Sequence, residues 1–395
     1  MKEIRLRRGR DSSLRRLHPW VFSGALGEPA GDSPASGETV RVLDAAGNAL
    51  ALAAWSPQSR IRARVWSFDP SESINEAFFQ RRLEEAMARR GERATAPNGA
   101  CRLVHGESDG LPGLIVDRYD NVLVCQCLSA GAEAWKEEIA DALMSLLPAD
   151  CLYERSDAGI RELEGLSPVK GILRGALPDT EPHIVENGAG YTVDVVEGHK
   201  TGFYLDQSAN RALARREAKG RRVLNCFSYT GAFSVAALQG GASHVTNVDA
   251  SEPALERAAA HMALNGFDKG QYSNLCANAF QQLRRFREDE RQFDLIILDP
   301  PKFADSRNQL KKGARAYKDI ALQAAYLLSP GGLLMTFSCS GAMDMGLFQK
   351  ITADALLDAG RFGQVQAWLY QGADHPVSLP FPESLYLKGL LCRLD

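Results

Sequence analysis

From about residue 186 onward, short apolar runs alternate with longer stretches in which apolar positions recur every three or four residues. The short runs predict buried strands and the longer stretches amphipathic helices. Strands are expected over 222–227, 245–249, 271–275, 295–299, 333–338, 365–369 and 385–392, with helices over 231–239, 252–265, 280–289, 313–328 and 347–359 between them. Strict alternation of this kind predicts a doubly wound α/β sheet of parallel strands.

The first 70 or so residues follow a different rhythm. Short strands over 4–6, 39–43, 49–55 and 61–66 are separated by turns such as Gly27-Glu28-Pro29 and Gly31-Asp32-Ser33-Pro34, a spacing that predicts a small β-barrel. Phe68-Asp69-Pro70-Ser71-Glu72-Ser73 reads as a linker whose last serine caps the helix expected over 74–90. Strands over 101–105, 114–118, 122–128 and 152–155 and a helix over 133–147 make an α+β middle region without a catalytic cluster. Three domains are therefore expected: 1–72, 73–185 as a spacer, and 186–395.

Composition adds three constraints. The longest apolar runs fall well short of the ~18–20 residues that span a bilayer, and charged Met1-Lys2-Glu3-Ile4-Arg5 has no apolar stretch after it, so a cytoplasmic chain without a secretory signal is expected. Eight cysteines form no CxxC pair and no metal spacing with the seven histidines, which predicts reduced thiols and no metal site. Net charge is −3, yet residues 1–66 carry 11 Lys+Arg against 6 Asp+Glu. A basic module on an acidic body fits docking to a phosphate backbone, with Arg7, Arg8 and Arg10 as candidate contacts. A solvated, arginine-rich edge strand would account for the charge equally well.

Two strand ends carry the candidate chemistry. The strand over 295–299 runs into Asp299-Pro300-Pro301-Lys302, and the strand over 333–338 into Cys339-Ser340. Ligands of open α/β sheets collect beyond the carboxyl ends of strands, so a carboxylate, a rigid Pro-Pro corner and a thiol are expected at one cleft. Earlier in the domain, a strand leads through Ser228-Tyr229-Thr230 to Gly231 and a helix. Asp249 ends the next strand, 18 residues past Gly231, near the spacing of a carboxylate that binds ribose hydroxyls. The glycine is expected where backbone approaches a ligand closely. The three-glycine dinucleotide fingerprint is absent, which disfavours NAD and leaves S-adenosylmethionine, a donor with no pyrophosphate to cradle.

The segments Thr201-Gly202-Phe203-Tyr204-Leu205-Asp206-Gln207, Asn225-Cys226-Phe227-Ser228-Tyr229-Thr230-Gly231, Asp299-Pro300-Pro301-Lys302-Phe303, Phe337-Ser338-Cys339-Ser340-Gly341 and Asp374-His375-Pro376 resemble class I S-adenosylmethionine-dependent RNA methyltransferases, whose catalytic fold is Rossmann-like. More narrowly, they resemble bacterial 23S ribosomal RNA cytosine-C5 methyltransferases with an N-terminal PUA domain, and His18-Pro19-Trp20-Val21-Phe22-Ser23-Gly24 is similar to the opening of that domain. The resemblance implies Cys339 as the nucleophile that adds to cytosine C6 and Asp299 as the group that holds the base edge; a thiolate needs positive surroundings, and Lys302 is one candidate source. It also implies cofactor contacts from Tyr204, Asp206, Gln207, Arg211, Asn225, Phe227, Tyr229, Thr230, Gly231, Asp249, Ala250, Asn278, Ala279, Asp299 and Pro300. His375, in the loop over 371–383, is a further candidate RNA contact.

Two positions depart from the family pattern. Lys302 stands where many of these enzymes carry a second cysteine, which leaves the base that takes the C5 proton open. Asn278 stands where an acid commonly meets the adenine amine. The implied partner is 23S ribosomal RNA, with no membrane, and a homodimer is compatible with the sequence. Two alternatives remain at this stage: N-methylation of an exocyclic amine through the Asp-Pro-Pro corner, and a non-catalytic RNA-binding ribosome-assembly factor.

Overall fold

A computed structural model of the chain describes residues 1–27, 32–304 and 306–395. The turn expected at Gly27-Glu28-Pro29 and the start of the one at Gly31 lie outside the described residues. The chain divides into two compact units, one of Met1–Val185, Thr192–Leu205 and Ala373–Ser384, the other of Glu186–Tyr191, Asp206–Gly372 and Leu385–Asp395.

The first unit opens with β1 (Glu3–Arg5), α1 (Ser12–Arg15), β2 (Trp20–Phe22), β3 (Thr39–Leu43), β4 (Ala49–Trp55) and β5 (Ile61–Ser67). These strands form one sheet of order β1-β3-β4-β5-β2, parallel only at β1–β3. The middle region contributes α2 (Glu76–Arg90), β6 (Ala100–His105), β7 (Leu114–Tyr119), β8 (Val122–Cys127), α3 (Ala130–Ala134), α4 (Lys136–Leu146), β9 (Cys151–Ser156) and β10 (Val169–Gly175), with a second sheet of order β10-β9-β8-β7-β6. The helix expected over 133–147 is thus two helices, broken at Trp135. The cap of α2 is Asn75, whose side chain accepts from Phe78 N, and not Ser73.

The N-terminal strands keep an apolar core of their own, with Ile4, Leu6, Val21, Val40, Val42 and Val65, and also pack on the middle region. Trp66 of β5 packs edge-on against Phe79 of α2 with ring centroids 5.3 Å apart, and Ala54 and Trp66 share one apolar cluster with β6, β7 and β8. Gly131 sits so close to this contact that a Cβ there would lie 2.3 Å from the Ala54 Cβ. Burial of one indole across both sheets joins them.

After the hairpin of β11 (His183–Glu186) and β12 (Ala189–Thr192), the second unit runs α5 (Ser208–Glu217), β13 (Arg222–Cys226), α6 (Ala232–Gln239), β14 (His244–Asp249), α7 (Glu252–Leu264), β15 (Tyr272–Cys276), α8 (Ala279–Glu288), β16 (Phe293–Leu298), α9 (Leu310–Leu327), β17 (Leu328–Ser338), α10 (Met345–Asp358), β18 (Gly363–Tyr370) and β19 (Lys388–Leu394). The sheet order is β15-β14-β13-β16-β17-β19-β18. Strands β13 to β17 are parallel, as the alternation predicted, but β19 is antiparallel to both β17 and β18. Leu295, Ile296, Ile297 and Leu298 of β16 are all fully buried, the continuous apolar run of a strand covered on both faces.

Three strands nevertheless carry an asparagine in register: Asn225 pairs with Asn247, and Asn247 with Asn274. Asn225 Nδ2 donates to Ser234 Oγ at 2.9 Å, Asn247 Nδ2 to Asn274 Oδ1 at 2.9 Å, and Asn274 Nδ2 to the Leu255 carbonyl at 2.9 Å. This ladder ties strands to helices with hydrogen bonds that are buried at Asn225 and half-buried at Asn274.

Gly389 of β19 faces Phe337 of β17, and an added Cβ would lie 2.4 Å from the phenyl ring. Phe337 is fully buried, so the ring has nowhere to move. Gly389→Ala is expected to destabilise the fold by about 1–3 kcal/mol through overpacking, read as a lower urea midpoint at unchanged m-value.

Candidate active site

Register places the candidate groups along one edge of the sheet. Cys226 of β13 is level with Val248 of β14 and with Leu298 of β16, and Leu298 is level with Thr336 of β17. One residue further on, therefore, Phe227, Asp249 and Asp299 stand side by side at neighbouring strand ends, about 4.8 Å from strand to strand. Cys339 lies just beyond, after Ser338. This is the carboxyl edge at which the sequence put the cleft.

The turn after β13 is strained. Phe227, Tyr229 and Gly231 all have left-handed φ angles, of 59°, 46° and 76°. For the two non-glycine residues that conformation costs about 1–3 kcal/mol each, and it persists only where neighbours enforce it. Here Asp249 does so, with Oδ2 accepting from Tyr229 N at 2.8 Å and Oδ1 from Ser251 N at 2.9 Å. Gly231 has a second reason to be glycine besides its φ. An added Cβ would lie 2.8 Å from the Ala258 Cβ, so close packing against α7 also excludes a side chain there.

Two buried polar atoms at the end of β13 and in the turn after it, Asn225 Oδ1 and Ser228 Oγ, have no hydrogen-bond partner among the described residues. A buried polar group without a partner costs about 1–3 kcal/mol, which a polar ligand would recover. Asp249 keeps unused acceptor capacity beyond its two backbone donors and is only partly buried, as a ribose-binding carboxylate requires. The residues therefore fit an adenosine-containing methyl donor.

The surroundings of the other expected contacts differ from one to the next. Arg211 is buried and forms a two-pronged ion pair with Glu186, Nε and Nη2 each 2.6 Å from a carboxylate oxygen, because a buried guanidinium needs such a partner. Asn278 is exposed and caps α8, its Oδ1 accepting from Phe280 N and Gln281 N. Ala279 is the first residue of that helix and is buried, whereas Ala250 is exposed. Asp206 is buried and accepts from the Tyr386 hydroxyl at 2.6 Å. Thr230 is buried, and its carbonyl lies 2.9 Å from His261 Nδ1.

Gln207 bridges to the reaction end. Its Nε2 donates to Asp299 Oδ2 at 3.0 Å, while its Oε1 accepts from Asn210 Nδ2 at 2.6 Å. Asn210 also donates to the Tyr370 carbonyl at 3.0 Å, so the Asp299 carboxylate is oriented by a fixed chain of amides. Pro300 is buried, and Lys302 projects to solvent.

Six of the eight cysteines are buried and Cys276 is exposed; Cys339 alone is intermediate. Burial pushes the thiols of Cys151 and Cys392 up to about 11 and that of Cys101 to about 12, so these stay protonated. Ser338 and Ser340 flank Cys339 and are fully buried, whereas Cys339 itself is only partly so. Ser340 Oγ lies 3.2 Å from the Tyr317 hydroxyl and accepts from Ala304 N at 3.3 Å.

Lys388 is a residue that the sequence reading missed. It faces Ser338 across the β17–β19 pair and donates to the Ser340 carbonyl at 2.8 Å and the Tyr386 carbonyl at 2.6 Å. Burial pushes its ammonium down to about 8, while attraction to the Cys339 sulfur opposes that shift. One lysine inside the apolar run Leu387-Lys388-Gly389-Leu390-Leu391 was the available signal.

Tyr204 and His375 belong to the first unit. The Tyr204 hydroxyl lies 3.3 Å from His199 Nδ1, and the Lys200 ammonium sits 4.2 Å from its ring. His375, expected in an open loop, is buried: Nδ1 lies 2.9 Å from Asp374 Oδ1, and its ring is 5.2 Å from that of His105. Asp374 Oδ2 in turn accepts from Arg102 N at 3.0 Å, so Asp374-His375 joins a buried polar network that also contains the Arg102–Asp117 ion pair. Arg7, Arg8 and Arg10 are exposed in the same unit. Cys127, Glu133 and Glu154 cluster within metal-ligand reach, but Arg161 lies 2.8 Å from Glu133 and Lys136 3.1 Å from Glu154. No described helix is long and apolar enough to cross a membrane.

Comparison with known proteins accords with this geometry. Residues 172–357 match the model of an S-adenosylmethionine-dependent methyltransferase family, and residues 4–68 match a PUA-like domain. In fold, the chain is similar over its whole length to a SAM-dependent methyltransferase from Streptococcus mutans (24% identity, TM-score 0.85, all of both chains) and to a methyltransferase solved in complex with SAH (24% identity, TM-score 0.86, all of both chains). In sequence it is 51% identical over 393 residues to ribosomal RNA large subunit methyltransferase I of Pseudoalteromonas translucida, covering 99% of each chain. Against the protein of the same name from Photobacterium profundum it is 51% identical over 391 residues, 98% of each. The chain therefore belongs to the S-adenosylmethionine-dependent ribosomal RNA large subunit methyltransferase I family.

Proposed function

We propose that this protein methylates C5 of a cytosine in 23S, large-subunit ribosomal RNA, with Cys339 as a transient covalent nucleophile. The observation that carries this reading is a partly exposed Cys339 at the sheet edge that also holds an oriented Asp299, with a buried Lys388 interacting with it. S-adenosylmethionine supplies the electrophilic methyl group; Asn225, Ser228 and Asp249 are the residues suited to hold it.

The chain's own residues do the rest. Cytosine C5 is too weak a nucleophile to be alkylated directly, so the Cys339 thiolate adds to C6 and raises electron density at C5. Once C5 has gained its methyl group, loss of the C5 proton and cleavage of the sulfur–C6 bond restore the ring and the thiolate. Asp299, steadied by Gln207, accepts from the exocyclic amine and steadies charge that develops on the ring. The Pro300-Pro301 corner keeps that carboxylate from swinging away. The base must leave its stack to reach this edge. Lys388 supplies the positive field that a useful thiolate needs, with exposed Lys302 as a second cation.

Cys339→Ala is expected to abolish methyl transfer and the denaturation-resistant complex formed with 5-fluorocytosine RNA, while S-adenosylmethionine binding in a calorimeter persists. Methylation that survives the substitution would point instead to an exocyclic-amine acceptor.

The Lys388 ammonium is charged below about pH 8 and neutral above it, whereas the thiolate fraction of Cys339 grows with pH. Covalent adduct formation should therefore rise from acid pH and fall again above about 8. In Lys388→Met the alkaline fall should vanish, and iodoacetamide alkylation of Cys339 at pH 7 should slow roughly tenfold, as for a thiol pKa raised by one unit. An unchanged alkylation rate would remove Lys388 from the mechanism.

A further inference from the structure

We infer that the start of α9, together with the groove between α8 and α9, is a track that docks the phosphodiester backbone of the RNA substrate beside the reaction end. This rests on the RNA-methyltransferase reading and extends it to a surface of the catalytic unit, far in sequence from the basic N-terminal module.

Lys311, Lys312 and Arg315 are all exposed, and none has an acidic partner among the described residues. Cations nearby are matched: Lys318 pairs with Asp358 at 2.7 Å, and Arg284 with Asp319 at 2.7 Å. The first turn of α9 contains no acid and no side-chain cap. Two lysines there add to the positive end of the helix dipole, an arrangement that is unfavourable in the free protein and favourable once an anion arrives.

The helix start is bound tightly to the reaction end. Gly313 approaches so closely that an added Cβ would lie 3.0 Å from the Phe303 carbonyl oxygen and 2.9 Å from the Ala304 Cβ. One turn on, the Tyr317 ring packs 4.7 Å from that of Phe303, and its hydroxyl lies 3.2 Å from Ser340 Oγ. Phe303 directly follows Asp299-Pro300-Pro301-Lys302, and Ser340 follows Cys339. The unmatched cations are thus fixed next to both reactive segments.

A second observation points to a ligand of extended shape. At helical spacing, Lys312, Arg315, Asp319 and Gln323 share one face of α9. At the far end of that face, Arg284, Arg287, Glu288 and Gln323 line a cleft of about 340 Å³. Gln323 is buried, and its Oε1 has no hydrogen-bond partner among the described residues. A strand held by its phosphates at Lys311, Lys312 and Arg315 would offer that oxygen a sugar hydroxyl or a base amine. A free phosphate or a compact acidic peptide would not reach along the groove.

The test titrates salt from roughly 50 to 200 mM while the full chain binds a fluorescent single-stranded oligocytidylate. Replacing Lys311, Lys312 and Arg315 together by Gln should lower the slope of log affinity against log salt by about 2, three phosphate contacts on a single strand. Donor binding should be unchanged and the melting temperature equal or higher, since a merely structural role would lower it. Gln323→Leu should weaken binding roughly two- to tenfold at an unchanged slope. A wild-type slope in the triple variant overturns the phosphate assignment, and wild-type affinity in Gln323→Leu overturns that of the groove. If the unsubstituted chain binds no RNA at all, the RNA reading itself fails.

Discussion

The pairing of β17 between β16 and β19 fixes where Asp299, Cys339 and Lys388 stand. On one side, Leu298 level with Thr336 sets how far Asp299 lies from Cys339 along the edge. On the other, Ser338 opposite Lys388 brings an ammonium to a thiol 49 residues away in the chain. Side chains alternate faces along a strand, so a slip of one residue in either pairing would turn Cys339 or Lys388 to the wrong side. Phe337 against Gly389 locks that register, since a ring and a bare backbone fit together at one position only.

The donor end of the same edge is built on strain and incomplete hydrogen bonding. Two non-glycine residues in left-handed conformation, and two buried polar atoms without partners, raise the energy at the end of β13 and in the turn after it. The asparagine ladder beneath it, joined to α6 and α7, supplies the rigidity that holds such a turn in place. A preformed polar pocket then needs little reorganisation when a ligand arrives.

Exposure and field set one cysteine apart from the others. Burial in apolar surroundings keeps Cys101, Cys151 and Cys392 in the thiol form. Cys339 differs by position and not by residue type, standing at a strand end with anchored serines on both sides and a cation nearby. Lys388 itself is held by two carbonyls, which compensate its burial only in part.

The alternation of apolar runs with helical periodicity determined the α/β class, the strand positions to within a few residues, and the segments that meet at the carboxyl edge. These depend on local pattern, which one chain displays completely. Composition and motif likewise singled out Cys339, Asp299 and Asp249. Tertiary structure alone decided the rest. It made β19 antiparallel, and no local pattern distinguishes strand direction. It bound Arg211 to Glu186, drew His375 into a buried network with Asp374 and Arg102, and joined the barrel to the middle region through Trp66. Lys388 shows the reason most plainly: its neighbours along the chain are mostly apolar, and only the long-range pairing of β17 with β19 brings it to the segment that carries Cys339.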